Sequence, residues 1–149
     1  MTTSRVPSRN RLAEVERLQV AVIQLARQLG SAYPDDLPRS ARTALAAVVK
    51  YGPLRIGDLA EREGVGQTAI SRTVRNLEAD GLVTRSPDPQ DGRVWLVEAS
   101  ERGRSRFLDD RRLLSEQLVS QLDALSEDDL AALLAAAGPL EQMIELTRR

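Results

Sequence analysis

From Glu61 to Trp95 the chain reads EREGVGQTAISRTVRNLEADGLVTRSPDPQDGRVW, and its apolar period changes along the way. Ile70, Val74 and Leu77 recur at helical spacing, which predicts a helix over 67–80 with that face turned inward. Gly66 is placed to cap its start and Gly81 to close it. The piece before it, LRIGDLAEREGV, starts extended at Leu54 to Ile56 and becomes a short helix over 57–63 that Gly64 ends. After Gly81 come two short apolar runs, GLVTR and VWLVEA. Between them lie two prolines, a glycine, two aspartates and one arginine. Two strands joined by an irregular loop follow, and the Asp91-Gly92 pair is itself a hairpin signal.

Outward from this centre the chain is helical. Leu18, Val22, Leu25 and Leu29, with Val15 a turn earlier, predict an amphipathic helix over 10–30 that Gly30 and SAYPDD stop. Pro38 suits the first turn of the next helix, which carries Leu45, Val48 and Val49 and ends at Gly52-Pro53. On the other side Ser100 can cap a long helix through Phe107, Leu114, Leu118 and Leu122. A last helix opens at SEDD, where Ser126 and Asp129 resemble a capping box. Pro139, which lacks an amide proton and restricts Gly138, is expected to kink or split that helix. The expected order is helix, helix, short strand, helix, helix, strand, loop, strand, helix, helix. The expected fold is therefore mainly α with a small β-hairpin.

Composition removes several functions. With 149 residues the chain can bury a real core. It has no cysteine and no histidine, so thiol nucleophiles, disulfides, the usual zinc sets and histidine-based triads are closed to it. No apolar-flanked pair of acids suggests carboxylate catalysis, and no metal or cofactor site is expected; the chain does not read as an enzyme. The N-terminus has basic residues without an apolar run behind them, unlike a signal peptide, and LAALLAAAGPL is too short to span a bilayer. A cytosolic protein is the simplest reading. Net charge is −1, but it slopes from basic before Arg62, through balance over 62–104, to acidic beyond. That slope neither supports nor excludes a polyanionic partner.

The helix at 57–63, its glycine turn and the helix at 67–80 form a helix-turn-helix. With Ile70, Val74 and Leu77 inward, Gln67, Thr68, Ser71, Arg72, Arg75 and Asn76 are left outward. These are side chains that reach base edges and phosphates; taken alone, they are equally the composition of a solvated face. A hairpin directly after such a helix is the wing of a winged helix. An arginine there, Arg93, can enter the minor groove, and Asp91 can hold its guanidinium by a charge-assisted bond. The bland alternative is an acidic hairpin turn.

The segment DLAEREGVGQTAISRTVRNLEADGLVTRSPDPQDGRVWLVEASERGR resembles the central block of the MarR family of winged-helix transcriptional regulators. The likeness rests on the leucine-alanine of the first helix, Ser-Arg in the second, Leu-Glu and Gly-Leu-Val at its end, and Asp, Asp, Arg in the wing. It covers Leu54 to Arg104. It departs from the family at Ala99-Ser100, where Leu-Thr is common, and at Gly138-Pro139. The likeness implies Arg72 and Arg75 in the major groove, Arg93 in the minor groove with Asp91 beside it, and Arg85 near the wing base. It also implies one domain over 1–149, in which 38–99 is the winged helix-turn-helix region and 10–37 and 100–149 form a helical dimerisation region. A homodimeric repressor on an inverted-repeat operator in double-stranded DNA follows, released by a small-molecule effector. The thiol route of oxidant sensing is closed here. Independently, the apolar stripes of the outer helices suit either a second chain or packing on each other. The alternative from another class is a winged-helix dimer that serves as a protein scaffold without DNA.

Overall fold

A computed structural model describes residues 9–34 and 36–147. Residues 1–8, the first part of the N-terminal stretch read above for a leader, lie outside them. The elements are α1 (Arg9–Gly30), α2 (Arg39–Tyr51), β1 (Leu54–Arg55), α3 (Ile56–Glu63), α4 (Gln67–Ala79), β2 (Val83–Pro87), β3 (Trp95–Ala99), α5 (Glu101–Leu122) and α6 (Glu127–Thr147). This is the order that periodicity predicts. Among the described residues no helix is long and apolar enough to cross a membrane.

Leu45 and Val48 of α2, Leu59 of α3, Val74 and Leu77 of α4, and Val83 and Val97 of the sheet are fully buried together. Each such side chain contributes about 1.5 to 3 kcal/mol relative to exposure. The three strands are antiparallel in the order β1-β3-β2, with Leu54 opposite Val97, Arg85 opposite Val97 on the other side, and Pro87 opposite Trp95. Side chains alternate across the strands, so Val83, Arg85 and Pro87 share a face with Trp95, Val97 and Ala99.

Ser100 caps α5 as expected. Its hydroxyl accepts from the Gly103 amide at 3.0 Å and donates to the Gly81 carbonyl at 2.6 Å. The same serine thus satisfies a helix end and ties it to the end of α4. Ala99 is buried, so the departure at 99–100 leaves the packing beneath the hairpin intact. At the start of α6 the Asp129 amide donates to Ser126 Oγ at 3.2 Å, and that hydroxyl donates to the Asp129 carboxylate at 2.7 Å.

Pro139 does not split the last helix. α6 runs unbroken from Glu127 to Thr147. The preceding Gly138 has no Cβ to crowd the proline ring. The flanking alanines and leucines favour helix enough to offset the missing amide donor.

One polar cluster joins the α1–α2 connection to α2 and α5. Arg106 of α5 donates both terminal nitrogens to the two oxygens of Asp36, each at 2.8 Å, and its Nε to Asp110 at 2.8 Å. Arg42 of α2 lies over the Tyr33 ring, 4.3 Å from its centroid, and donates to the Pro34 carbonyl at 2.6 Å. Arg106 holds the Asp36 carboxyl below the usual carboxylate range, chiefly by its hydrogen bond.

α1 and α6 leave their apolar residues uncovered within one chain. Leu12, Val15, Leu18, Val22, Ile23 and Leu25 are exposed on α1, and Leu133, Leu134, Met143, Ile144 and Leu146 on α6.

Candidate nucleic-acid interface

One glycine-dependent joint and one extended cap set the direction of α4. Gly64 ends α3 in the left-handed region, φ 64°, which a β-carbon disfavours. Gly66 then starts α4 in extended backbone, its carbonyl accepting from the Ile70 amide at 3.1 Å. With Ile70, Val74 and Leu77 buried, helical spacing turns Thr68, Arg72 and Arg75 squarely away from the core. All three are exposed.

The other candidates flank that stripe unequally. Gln67 and Ser71 stand on the side of α3; the Gln67 amide lies close to Gly57, and Ser71 is half-buried. Asn76 is exposed but leans the other way, lining a hollow with Leu37, Pro38 and Ser40 at the start of α2. The helix thus offers a narrow outward line of hydroxyl and guanidinium groups with amides at its borders.

Arg85 is placed on β2, at the base of the hairpin, facing α4. It is half-buried, and its Nε and one terminal nitrogen meet Glu78 Oε2 of α4 at 2.7 and 2.6 Å. Trp95 lies on the same face, its ring centroid 5.8 Å from that guanidinium. The Arg85 fork is therefore occupied within the fold, where it fastens the hairpin to α4.

Arg93 stands at the far end of the hairpin loop with its side chain 95% exposed. Asp91 does less for its guanidinium than the sequence suggests. Asp91 Oδ1 accepts the Arg93 backbone amide at 3.1 Å and lies 3.6 Å from Arg93 Nε, beyond hydrogen-bonding reach. Asp91 shapes the turn, and the arginine reaches outward with only this loose ion pair to hold it.

Two participants escape sequence reasoning. Asp88 is 7% exposed in a loop whose other polar residues are open. Its Oδ2 accepts from Arg55 Nε at 2.9 Å and lies 2.7 Å from Arg55 Nη2, and its Oδ1 accepts the Gln90 amide at 2.8 Å. The Gln90 amide first, and Arg55 with it, hold the Asp88 carboxyl below its ordinary range. Glu78 is the second. The Asp88-Pro89 pair signals a turn, but nothing in the sequence marks Arg55, in another strand, as its partner.

These pairs also bear on the balanced charge of the segment. Glu78 is taken by Arg85, Asp88 by Arg55 and Glu98 by Arg104. Among the described residues Arg72 and Arg75 have no carboxylate within ion-pairing distance. These pairs take up three of the seven acids of 62–104, and the outward line of α4 is left cationic.

Residues 35–94 match the family model described as the MarR family. The chain is similar to an HTH-type transcriptional regulator of Mycobacterium leprae, ML2140, with 35% identity over 129 residues, 86% of this chain and 90% of that one. Its fold is similar to that of a MarR family protein from Bacillus stearothermophilus, with a TM-score of 0.79 at 19% identity over 94% of this chain and 99% of that one. It is also similar to Streptococcus pneumoniae FabT, solved in complex with DNA, with a TM-score of 0.64 at 17% identity over 93% and 98% of the two chains.

Proposed function

The chain belongs to the MarR family of transcriptional regulators, and on that premise we propose that it is a sequence-specific repressor. In this reading it acts as a homodimer on an inverted repeat in double-stranded DNA, in the cytosol, and a small-molecule effector releases it. The observation that carries the proposal is the cationic line of α4, Arg72 and Arg75 with Thr68, beside a hairpin whose Arg93 stands out into solvent.

Arginine forks suit guanine edges and phosphates, hydroxyls suit either, and the amides of Gln67 and Asn76 suit adenine at the borders of the contact. Ser71 adds a hydroxyl from the α3 side. Arg93 suits the narrow, strongly negative minor groove alongside. Arg85 and Asp91 act through structure, one fastening the hairpin to α4 and the other shaping its turn. The DNA complex of FabT supports this use of the fold.

Residues 38–99 are the DNA-reading region in this proposal, and 10–37 with 100–149 join two copies. The support is the uncovered apolar surface of α1 and α6, larger than a chain working alone tolerates. Two-fold symmetry then places two copies of α4 in successive major grooves, about 34 Å apart.

Titration of a labelled random-sequence duplex at low salt, with sedimentation of the free protein, tests both halves. Micromolar or tighter binding by a dimer is expected. A dimer without DNA binding would instead leave a protein scaffold, and a monomer would remove the inverted-repeat geometry.

A further inference from the structure

We propose that Asp88 and Arg55 form a clamp that positions the wing for DNA, so that a buried carboxylate strengthens binding to a polyanion. The inference rests on Arg93 being the wing's DNA contact and adds the residues that determine where Arg93 stands.

Arg93 does not fix its own position. Its guanidinium has only the 3.6 Å contact to Asp91, so its reach is set by the backbone from Asp88 to Val94. That backbone is closed internally: the Asp88 amide donates to the Val94 carbonyl and the Val94 amide to the Asp91 carbonyl, both at 2.8 Å, while the Gln90 and Arg93 amides donate to the side chains of Asp88 and Asp91. These bonds make the loop a shaped unit without fastening it to anything else.

The fastening is Asp88 to Arg55. Arg55 belongs to β1, which lies beyond β3 in the order β1-β3-β2 and pairs with Leu96. Asp88 follows directly on β2, whose last residue pairs with Trp95. The ion pair therefore spans β3 at the level where the hairpin leaves the core, and resists rotation of the loop about the strand axis. A carboxylate removed from water is costly unless fully partnered. Asp88 has found three donor nitrogens, from Arg55 and Gln90, within 2.9 Å.

Charge alone predicts the opposite sign. An aspartate near phosphates repels them, so neutralising it without other consequence tightens binding. The clamp predicts that Asp88→Asn weakens it, because the amide keeps the size but has one acceptor oxygen in place of two, is uncharged, and cannot meet both Arg55 and the Gln90 amide.

The test uses the whole chain and a labelled duplex that the protein itself selects from a random pool. We expect Asp88→Asn to weaken binding about three- to tenfold while the salt slope stays that of the parent, since no phosphate contact is deleted. We expect Arg55→Gln to do the same, and Arg55→Lys, which keeps the charge without the fork, to recover only part. In an Arg93→Ala background both losses should vanish, because there is no arginine left to position. A merely structural role would lower affinity equally in either background. If Asp88→Asn does not fold, the Arg55→Gln cycle decides alone. Unchanged or tighter binding by Asp88→Asn, or an Arg55→Gln loss that persists without Arg93, overturns the clamp. If Arg93→Ala itself leaves affinity unchanged, the wing reading fails and the clamp with it. If Arg93→Ala weakens binding and Asp88→Asn does not, only the clamp fails. No binding by the parent chain overturns both.

Discussion

Replacing Gly103 with alanine should destabilise the chain, although alanine is the better helix former. Gly103 lies in the first turn of α5, which is pressed against the end of α4 and the start of β2. A β-carbon there would overlap the Leu82 carbonyl oxygen, stand 2.9 Å from that carbonyl's carbon and 3.2 Å from Leu45 Cδ1. None of these can step aside easily. The Leu82 oxygen accepts the Ser100 amide at 3.0 Å, and Leu45 is in the centre of the core. Overpacking of this kind costs about 1 to 3 kcal/mol. The gain in helix propensity returns at most about 1 kcal/mol in a helix interior and less in a first turn. The net expectation is a loss of about 1 to 2 kcal/mol, which for a chain of this size lowers the melting temperature by about 2 to 8 °C. Differential scanning calorimetry on the pure variant measures it. A melting temperature equal to or above that of the parent would refute the close approach of α5 to Leu82.

The exposed side chain of Arg93 makes Arg93→Ala a clean perturbation: it should weaken DNA binding by about 1 to 3 kcal/mol and lower the salt slope by about one, with an unchanged melting curve. Asp91→Ala should instead show chiefly in the melting curve, by about 0.5 to 1.5 kcal/mol, because its main bond is to the Arg93 backbone amide. Glutamate at both Leu18 and Ile23, each more than half exposed within one chain, should leave the far-ultraviolet circular dichroism intact and shift sedimentation to the monomer; an intact dimer would place the interface elsewhere. Asp36 and Asp88 have carboxyls held below their unfolded range, so their contribution is present above about pH 4 and disappears as the pH falls through the lowered folded values. Melting temperatures between pH 7 and pH 2 should show the loss at the acid end, and Asp36→Asn should blunt it.

The helix order, the caps at Ser100 and Ser126 and the outward line of α4 were legible because each depends on neighbours within a turn or two of chain. Ile70, Val74 and Leu77 define a buried face by spacing alone, and the opposite face follows. The partnerships of the charged residues were not legible, because they depend on which strands pair and which helices cross. Arg55 meets Asp88 only once β1 and β2 flank β3, and Arg106 meets Asp36 only once α5 lies against the α1–α2 connection. For the same reason Arg85 reads in the sequence as one more free cation, whereas the fold gives it to Glu78. Pro139 reads in the sequence as a kink or break, whereas α6 continues through it; part of the clash that ends a helix before proline is with a β-carbon, which Gly138 lacks.

The way α5 begins has a mechanical consequence. Its cap, Ser100, is bonded to Gly81, and its third residue is pressed on Leu82, so its first turns move with α4 and the wing as one body. From there the helix runs 22 residues, about 33 Å at 1.5 Å per residue, so a tilt of about 5° at the far end displaces the near end by about 3 Å. That is close to the axial rise of one base step, roughly 3.4 Å. A force on the distal half of α5 therefore has a lever long enough to move Arg72 and Arg75 by about a base step, without touching the outward face of α4 at all.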